Sequence, residues 1–296
     1  MEKFFGVQIP TITPFDNNGQ VNLVQIEKLI RFYIDAGCSC LIPTANNGEQ
    51  PHLTEDEKKQ VWQKTVEAVA GKILVAPSIS GNTTAQVIER AKYCESIGAD
   101  GVMVGPPYYF PLNPDDLYEH YRAIGESINI PIIIHNEPDI FKVDLMPDLV
   151  AKLNKTKTIC LIKESTYDTT RIHGIIRLCG DAMTVIVAGG ATALESLVVG
   201  AKAWMTGLNN IIPELAVYMY NLAIVENNWT AARKAYFEKI LPVQDCLKAI
   251  GKPVPVVKYA LELRGFPVGE ARKPLSPLSE KQKEAVRKTL EAIGVL

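Results

Sequence analysis

Long uncharged runs are missing from this chain. No stretch reaches the about 18 apolar residues that a bilayer crossing needs. Met183–Leu194 is among the longest runs without a charge, and two glycines interrupt it. The opening MEKFFGVQIP lacks the apolar core of a secretory signal. Charge of one sign is missing too: 31 Lys plus Arg stand against 33 Asp plus Glu, a net charge of −2. That balance argues against a nucleic-acid binder and leaves no polybasic patch for a membrane surface. Cysteine is sparse. Cys38, Cys40, Cys94, Cys160, Cys179 and Cys246 sit mostly in apolar contexts and are expected to be reduced, buried thiols of a cytoplasmic protein. The four histidines, His52, His120, His135 and His173, include no pair at ligand spacing, so no metal centre is expected. A GxSxG elbow is absent, which argues against Ser-His-Asp hydrolysis.

What is present is a repeated alternation. Amphipathic stretches end in Gly plus a small residue, and a short apolar run follows: DAGCSCLIP (35–43), SIGADGVMV (96–104) and VVGAKAWMTG (198–207). Each Gly fits the left-handed position after a helix. Each run fits a strand buried on both faces. The same strand type recurs at FFGVQIP (4–10), KILVAPS (72–78), IPIIIHN (130–136), TICLIKE (158–164) and TVIVAG (184–189). Helical patterns lie between: 22–36, 54–70, 84–97, 113–127, 146–153, 168–179, 191–199 and 213–226. Thr54 with Glu57 makes a capping box, and Asn113-Pro114 sets an N-cap before a first-turn proline.

Eight strands alternating with eight helices predict an α/β fold, a (β/α)8 TIM barrel, over residues 1–227. A doubly wound open sheet is the alternative, but it would want GxGxxG or GxxxxGKS/T, and neither occurs. Past Asn228 the alternation stops. Three helices at 230–250, 254–264 and 279–293 predict a C-terminal extension over 228–296 rather than a second catalytic domain.

Barrel active sites lie at the C-terminal ends of the strands. There this chain carries Thr11, Thr13 and Pro14; 44–49; Ser78, Ser80 and Asn82; Pro106–Tyr109; His135-Asn136-Glu137; Lys163-Glu164-Ser165; Gly189-Gly190; and Gly207 with Asn209-Asn210. Lys163 is the most informative of them. An apolar site disfavours its charged form, and a neutral amine forms an imine with a ketone. The other reading is a lysine tying strands together through a carboxylate. Glu164 is a poor partner for it, because neighbours on a strand face opposite sides. His135, one strand away, either moves protons or is a satisfied core histidine. Tyr108 and Tyr109 are a phenol relay or aromatic packing. Gly48, Gly189 and Gly190 admit a carboxylate to backbone N–H groups, or simply turn the chain. A phosphate-binding barrel is a further reading, resting only on the glycines after the last two strands.

At these residues the chain resembles the dihydrodipicolinate synthase / N-acetylneuraminate lyase family of class I Schiff-base aldolases and dehydratases, over essentially its whole length. Thr13-Pro14-Phe15 matches the family's TPF, and Ala45–Glu49 stands where GTTGE or GSTGE would. Pro107-Tyr108-Tyr109 is similar to its PYY element, His135–Pro138 occupies its YNxP motif, and Ile162–Ser165 matches IKE followed by Ala or Ser. The resemblance implies a lyase acting on pyruvate or another 2-oxo acid, such as a 3-deoxy-2-oxo sugar acid. It implies an imine on Lys163, no other cofactor, and a homotetramer built as a dimer of dimers. His135 and Tyr109 would shuttle protons. Asn46, Asn47, Gly48, Gly189 and Gly190 would hold the carboxylate, and Trp204 would narrow the pocket or stack on an acceptor.

The chain is a diverged member. His135 replaces the strand-5 tyrosine, and Asn46-Asn47 replace the loop hydroxyls. Ile140 stands near the arginine of the dihydrodipicolinate synthases, which argues against aspartate semialdehyde as second substrate. Residues 136–144 are loosely similar to the NPxxFKxD continuation of the hydratase-aldolases. Two alternatives follow: a hydratase-aldolase-like or synthase-like condensation, and a non-catalytic binding descendant.

Overall fold

The apolar runs become strands because β-branched side chains suit a pleated surface buried on both faces. The computed structural model describes residues 2–296. Its strands are β1 (Gly6–Ile9), β2 (Cys40–Leu41), β3 (Leu74–Val75), β4 (Val102–Val104), β5 (Ile132–Asn136), β6 (Ile159–Glu164), β7 (Thr184–Ala188) and β8 (Ala203–Met205). Between them run α1 (Leu23–Asp35), α2 (Glu55–Val69), α3 (Thr84–Ser96), α4 (Pro114–Ser127), α5 (Pro138–Phe141), α6 (Pro147–Leu153), α7 (Thr169–Cys179) and α8 (Ala193–Val198). After β8 come α9 (Pro213–Tyr220), α10 (Trp229–Ala235), α11 (Leu241–Ile250), α12 (Pro253–Leu263) and α13 (Glu280–Ala292). The fold is a (β/α)8 barrel with C-terminal helices.

Local signals act as expected. Thr54 and Glu57 form the reciprocal capping box of α2. The Asn113 side chain accepts from the N–H groups of Asp115 and Asp116 ahead of α4. Gly37, Gly98 and Gly200 take φ of +85°, +85° and +116°. Some differences are local. The expected helix over 230–250 contains a wide π turn at Tyr236–Ile240. It sits just ahead of Pro242, whose missing N–H and ring bulk prevent ordinary helical bonding there. And Cys160, Cys179 and Cys246 are only half buried, unlike Cys38, Cys40 and Cys94.

The chain divides into two compact units. One holds Leu74–Met205 with the start of the chain. In it β4 to β8 pair successively in parallel, and most of their side chains are fully buried. The register of β5 on β6 shifts by one between Ile132 and Ile133, which face Ile159 and Leu161. Cys160 is the extra residue of this bulge. The shift sets His135 level with Lys163 and Asn136 level with Glu164. Without it, His135 would lie beside Ile162. The other unit holds Gly6–Ile73 and Thr206–Leu296, with β1 paired to β2 and the C-terminal helices. Among the described residues no helix is long and apolar enough to cross a membrane.

Candidate active site

The register sorts the polar ends of β5 and β6 into two clusters, because alternate residues face alternate sides. On one side Asn136 meets Glu164. The Asn136 amide donates to Glu164 Oε2 at 3.1 Å and to Asp144 Oδ1 at 3.1 Å, and its carbonyl accepts from Leu145 N–H at 3.0 Å. Arg171 on α7 closes the cluster on Asp144 Oδ1 at 2.7 Å. Burial pushes the Glu164 carboxyl up, against hydrogen bonds from Thr166 and Asn136. Glu164 is thus occupied away from Lys163, as strand alternation requires.

On the other side stand Lys163, His135, Ser165 and Glu137. Lys163 Nζ lies 2.8 Å from His135 Nε2, 3.2 Å from Ser165 Oγ and 3.4 Å from Glu137 Oε2. Three partners match the three protons of an ammonium. His135 Nε2 is also 2.6 Å from Glu137 Oε2. The imidazole is 1% exposed, and Phe141 on α5 meets it edge-on at 5.1 Å between ring centroids. Phe141 also fills the space beside Gly105, where an added Cβ would come within 2.3 Å of the ring. Burial, and then the charge of Lys163, push His135 down to about 4, against the pull of Glu137. Burial works to raise the Glu137 carboxyl. The charge of Lys163 and the bond from His135 outweigh it and hold Glu137 well below the usual carboxylate range.

Glu137 is the residue that the sequence reading passed over. The signal was there: His135 and Glu137 are two apart, as are Lys163 and Ser165, and that spacing puts each pair on one side of its strand.

The other expected site residues are placed as follows. Gly189 follows β7 in the left-handed region, φ +79°. Its bare side is filled by the ring of Tyr167, which an added Cβ would approach to 2.3 Å. Tyr167 itself takes φ +60°. Burial, and then the charges of Glu137 and Asp139, push its phenol up. Gly190 follows, buried. Trp204 is fully buried on β8, and its indole N–H donates to Gly189 O at 3.0 Å. Tyr109 is 74% exposed, stacks edge-on with Phe110, and lines a separate cleft of about 880 Å³ with Asn82, Thr84 and His120. It is not among the groups gathered at Lys163.

Asn46–Gly48 form a 3-10 turn in the other unit. Gly48 lies so close to Thr11 that a Cβ would meet its carbonyl at 2.8 Å, and its own carbonyl accepts from Thr13 Oγ1 at 2.7 Å. The Asn47 amide packs on Gly207. The next residue, Glu49, is buried in a left-handed conformation, φ +57°. It pairs with Lys258 at 2.7 Å and accepts from the Arg272 N–H at 2.8 Å.

The family model described as the dihydrodipicolinate synthetase family matches residues 3–293. The chain belongs to that family. It is 31% identical over 293 residues to the 4-hydroxy-tetrahydrodipicolinate synthase of Syntrophus aciditrophicus, covering 99% of each chain. Among solved structures, dihydrodipicolinate synthase from Aquifex aeolicus matches with a TM-score of 0.94 at 29% identity, covering 99% of each chain. The chloride-inhibited dihydrodipicolinate synthase of Acinetobacter baumannii, complexed with pyruvate, matches with 0.94 at 28% identity, over 99% of this chain and 100% of that one. This family member is an enzyme, a class I Schiff-base lyase of the aldolase type.

Proposed function

We propose that Lys163 is the imine-forming residue and that the substrate is pyruvate or another 2-oxo acid. The observation that carries this is a buried lysine amine at the C-terminal end of a barrel strand, 2.8 Å from an imidazole nitrogen. Pyruvate in the Acinetobacter relative supports the substrate class. Lys163 attacks the ketone, and the iminium then withdraws electrons from C3. A C3–C4 bond breaks or forms, or C3 gives up a proton and the hydroxyl on C4 takes up a proton and leaves as water. His135 carries the protons. The N–H groups of Gly189 and Gly190 take the substrate carboxylate; the amides of Asn46 and Asn47 and the backbone of Gly48 are a second set of donors suited to an anion. Trp204 acts here by fixing the Gly189 carbonyl. No cofactor beyond the lysine is needed.

Exposed Tyr108, Tyr109 and Phe110 suit a contact between copies, and we assign Tyr109 to a neighbour's proton relay in a homotetramer of the cytoplasm. The 228–296 extension is a support: its Lys258 and Arg272 hold Glu49 at the end of the 45–49 loop.

The test is borohydride reduction in the presence of pyruvate, followed by peptide mass spectrometry. One reduced pyruvate on Lys163 is expected. An adduct on another lysine, or none, would overturn the assignment. Supplying pyruvate with aldehydes, and separately 3-deoxy-2-oxo sugar acids, then separates condensation, cleavage and dehydration.

A further inference from the structure

Lys163 Nζ and Glu137 Oε2 both contact one atom, His135 Nε2, at 2.8 and 2.6 Å. A ring nitrogen has either one lone pair or one hydrogen in the ring plane, so it serves only one of the two at a time. With the lone pair in place, it accepts from the Lys163 ammonium. With a proton in place, it donates to Glu137. The cluster therefore has two proton arrangements of equal total charge.

We propose that Glu137 is a catalytic residue: with His135 it takes the proton that blocks the Lys163 amine and so generates the nucleophile. This deepens the imine assignment and rests on it. A proton leaves Nζ for the Nε2 lone pair. The electron pair stays on Nζ, and the new Nε2–H bonds to the Glu137 carboxylate, which balances the imidazolium charge. Nζ attacks C2 of the 2-oxo acid. The carbonyl π pair moves to oxygen, and that oxygen takes the proton back from His135. The carbinolamine then loses water to give the iminium.

The surroundings leave this role to Glu137. The flanking strands β4 and β7 carry no titratable side chain. Glu164 faces the Asn136 side and Arg171 is bound to Asp144. Ser165 reaches Nζ but is a poor base at neutral pH. Asp139 and Tyr167 lie on the Glu137 side: Asp139 adds negative charge there, and burial with the two carboxylates keeps the Tyr167 phenol protonated, so it is no base.

The test follows adduct formation on Lys163 with pyruvate and cyanoborohydride from about pH 6 to about pH 10, a span that brackets imidazole and amine titration. It uses the full chain and the Glu137→Gln and Glu137→Asp variants, with melting curves as a fold check. For E137Q the rate should fall by about tenfold or more near neutrality and recover as pH rises, because hydroxide then does the carboxylate's work. E137D should restore part of the neutral rate. An E137Q profile that matches the parent, or that drops equally at every pH, would overturn the proposal. Should E137Q fail to fold, His135→Asn must show the same alkaline recovery. A second readout, trace acetylation of Lys163 across the same pH range, needs no substrate. An acetylation profile shifted by E137Q alongside an absent pyruvate adduct would sink the substrate reading and leave the His135–Glu137 pair as the base. A normal adduct with unshifted profiles would do the reverse.

Discussion

Lys163 and Lys258 are both buried lysines facing a glutamate, 7% and 2% exposed. Lys258 lies on α12, with Nζ 2.7 Å from Glu49, 3.1 Å from the Glu270 carbonyl and 4.1 Å from the centre of the Phe15 ring. Its own burial pushes it down, against the pull of Glu49. None of those three partners takes a proton and passes it on: one is a closed ion pair, one a carbonyl, one an aromatic face. Lys163 sits at a strand end, with an imidazole nearest and a glutamate behind it that is 20% exposed at its side chain. Burial beside a carboxylate is therefore common to both. A proton acceptor within reach, and a glutamate that is partly exposed, set Lys163 apart.

The sharpest way to break this comparison is to truncate both lysines. Lys163→Ala should abolish the pyruvate adduct and reduce turnover on the order of a thousandfold or more, with the fold kept. Lys258→Ala should do the opposite, leaving the Glu49 charge buried and unpaired at a cost of about 3–5 kcal/mol, seen as a large drop in melting temperature. Equal loss of adduct in both, with equal melting temperatures, would erase the distinction.

Acid should also act unequally. His120 is buried on α4 and pushed down to about 4, so the unfolded chain takes up a proton more readily between about pH 6.5 and 4. Stability should fall as pH falls through that window, and His120→Gln should flatten the fall in denaturant titrations. Arg272, bound to Glu57, holds its carboxyl down to about 2, against partial burial. Its stabilisation should persist at neutral pH and drain away between about pH 4.5 and 2. A Glu57→Gln variant should lose that second acid limb. The smallest effect expected is at a helix start: Thr54→Ala should cost about 1 kcal/mol by removing the α2 cap, and leave Lys163 labelling untouched.

Much of this was legible in the chain. Each strand lies inside one of the eight apolar runs, because doubly buried strands read as unbroken hydrophobic stretches. Lys163 stood out for the converse reason, a charge attached to such a run. What escaped the reading depended on lateral register. Nothing local marks Cys160 as a bulge, yet that one residue decides whether His135 or Asn136 meets Lys163. Glu137 was hidden by a choice of neighbour: Glu164 was weighed as the partner, while the carboxylate two residues after His135 was not. The four-residue α5 was also too short to carry a helical period, although its Phe141 is what clamps the imidazole.

Tyr167 and Gly189 have a consequence for how this chain can change. A left-handed backbone at a tyrosine costs on the order of 1–2 kcal/mol, and a glycine there would remove that strain. But the same ring covers Gly189, where any side chain would collide with it. Relaxing one position empties the space above the other, and filling the other expels the ring. The two residues, 22 apart in sequence, behave as a single inherited character, to be exchanged together or not at all.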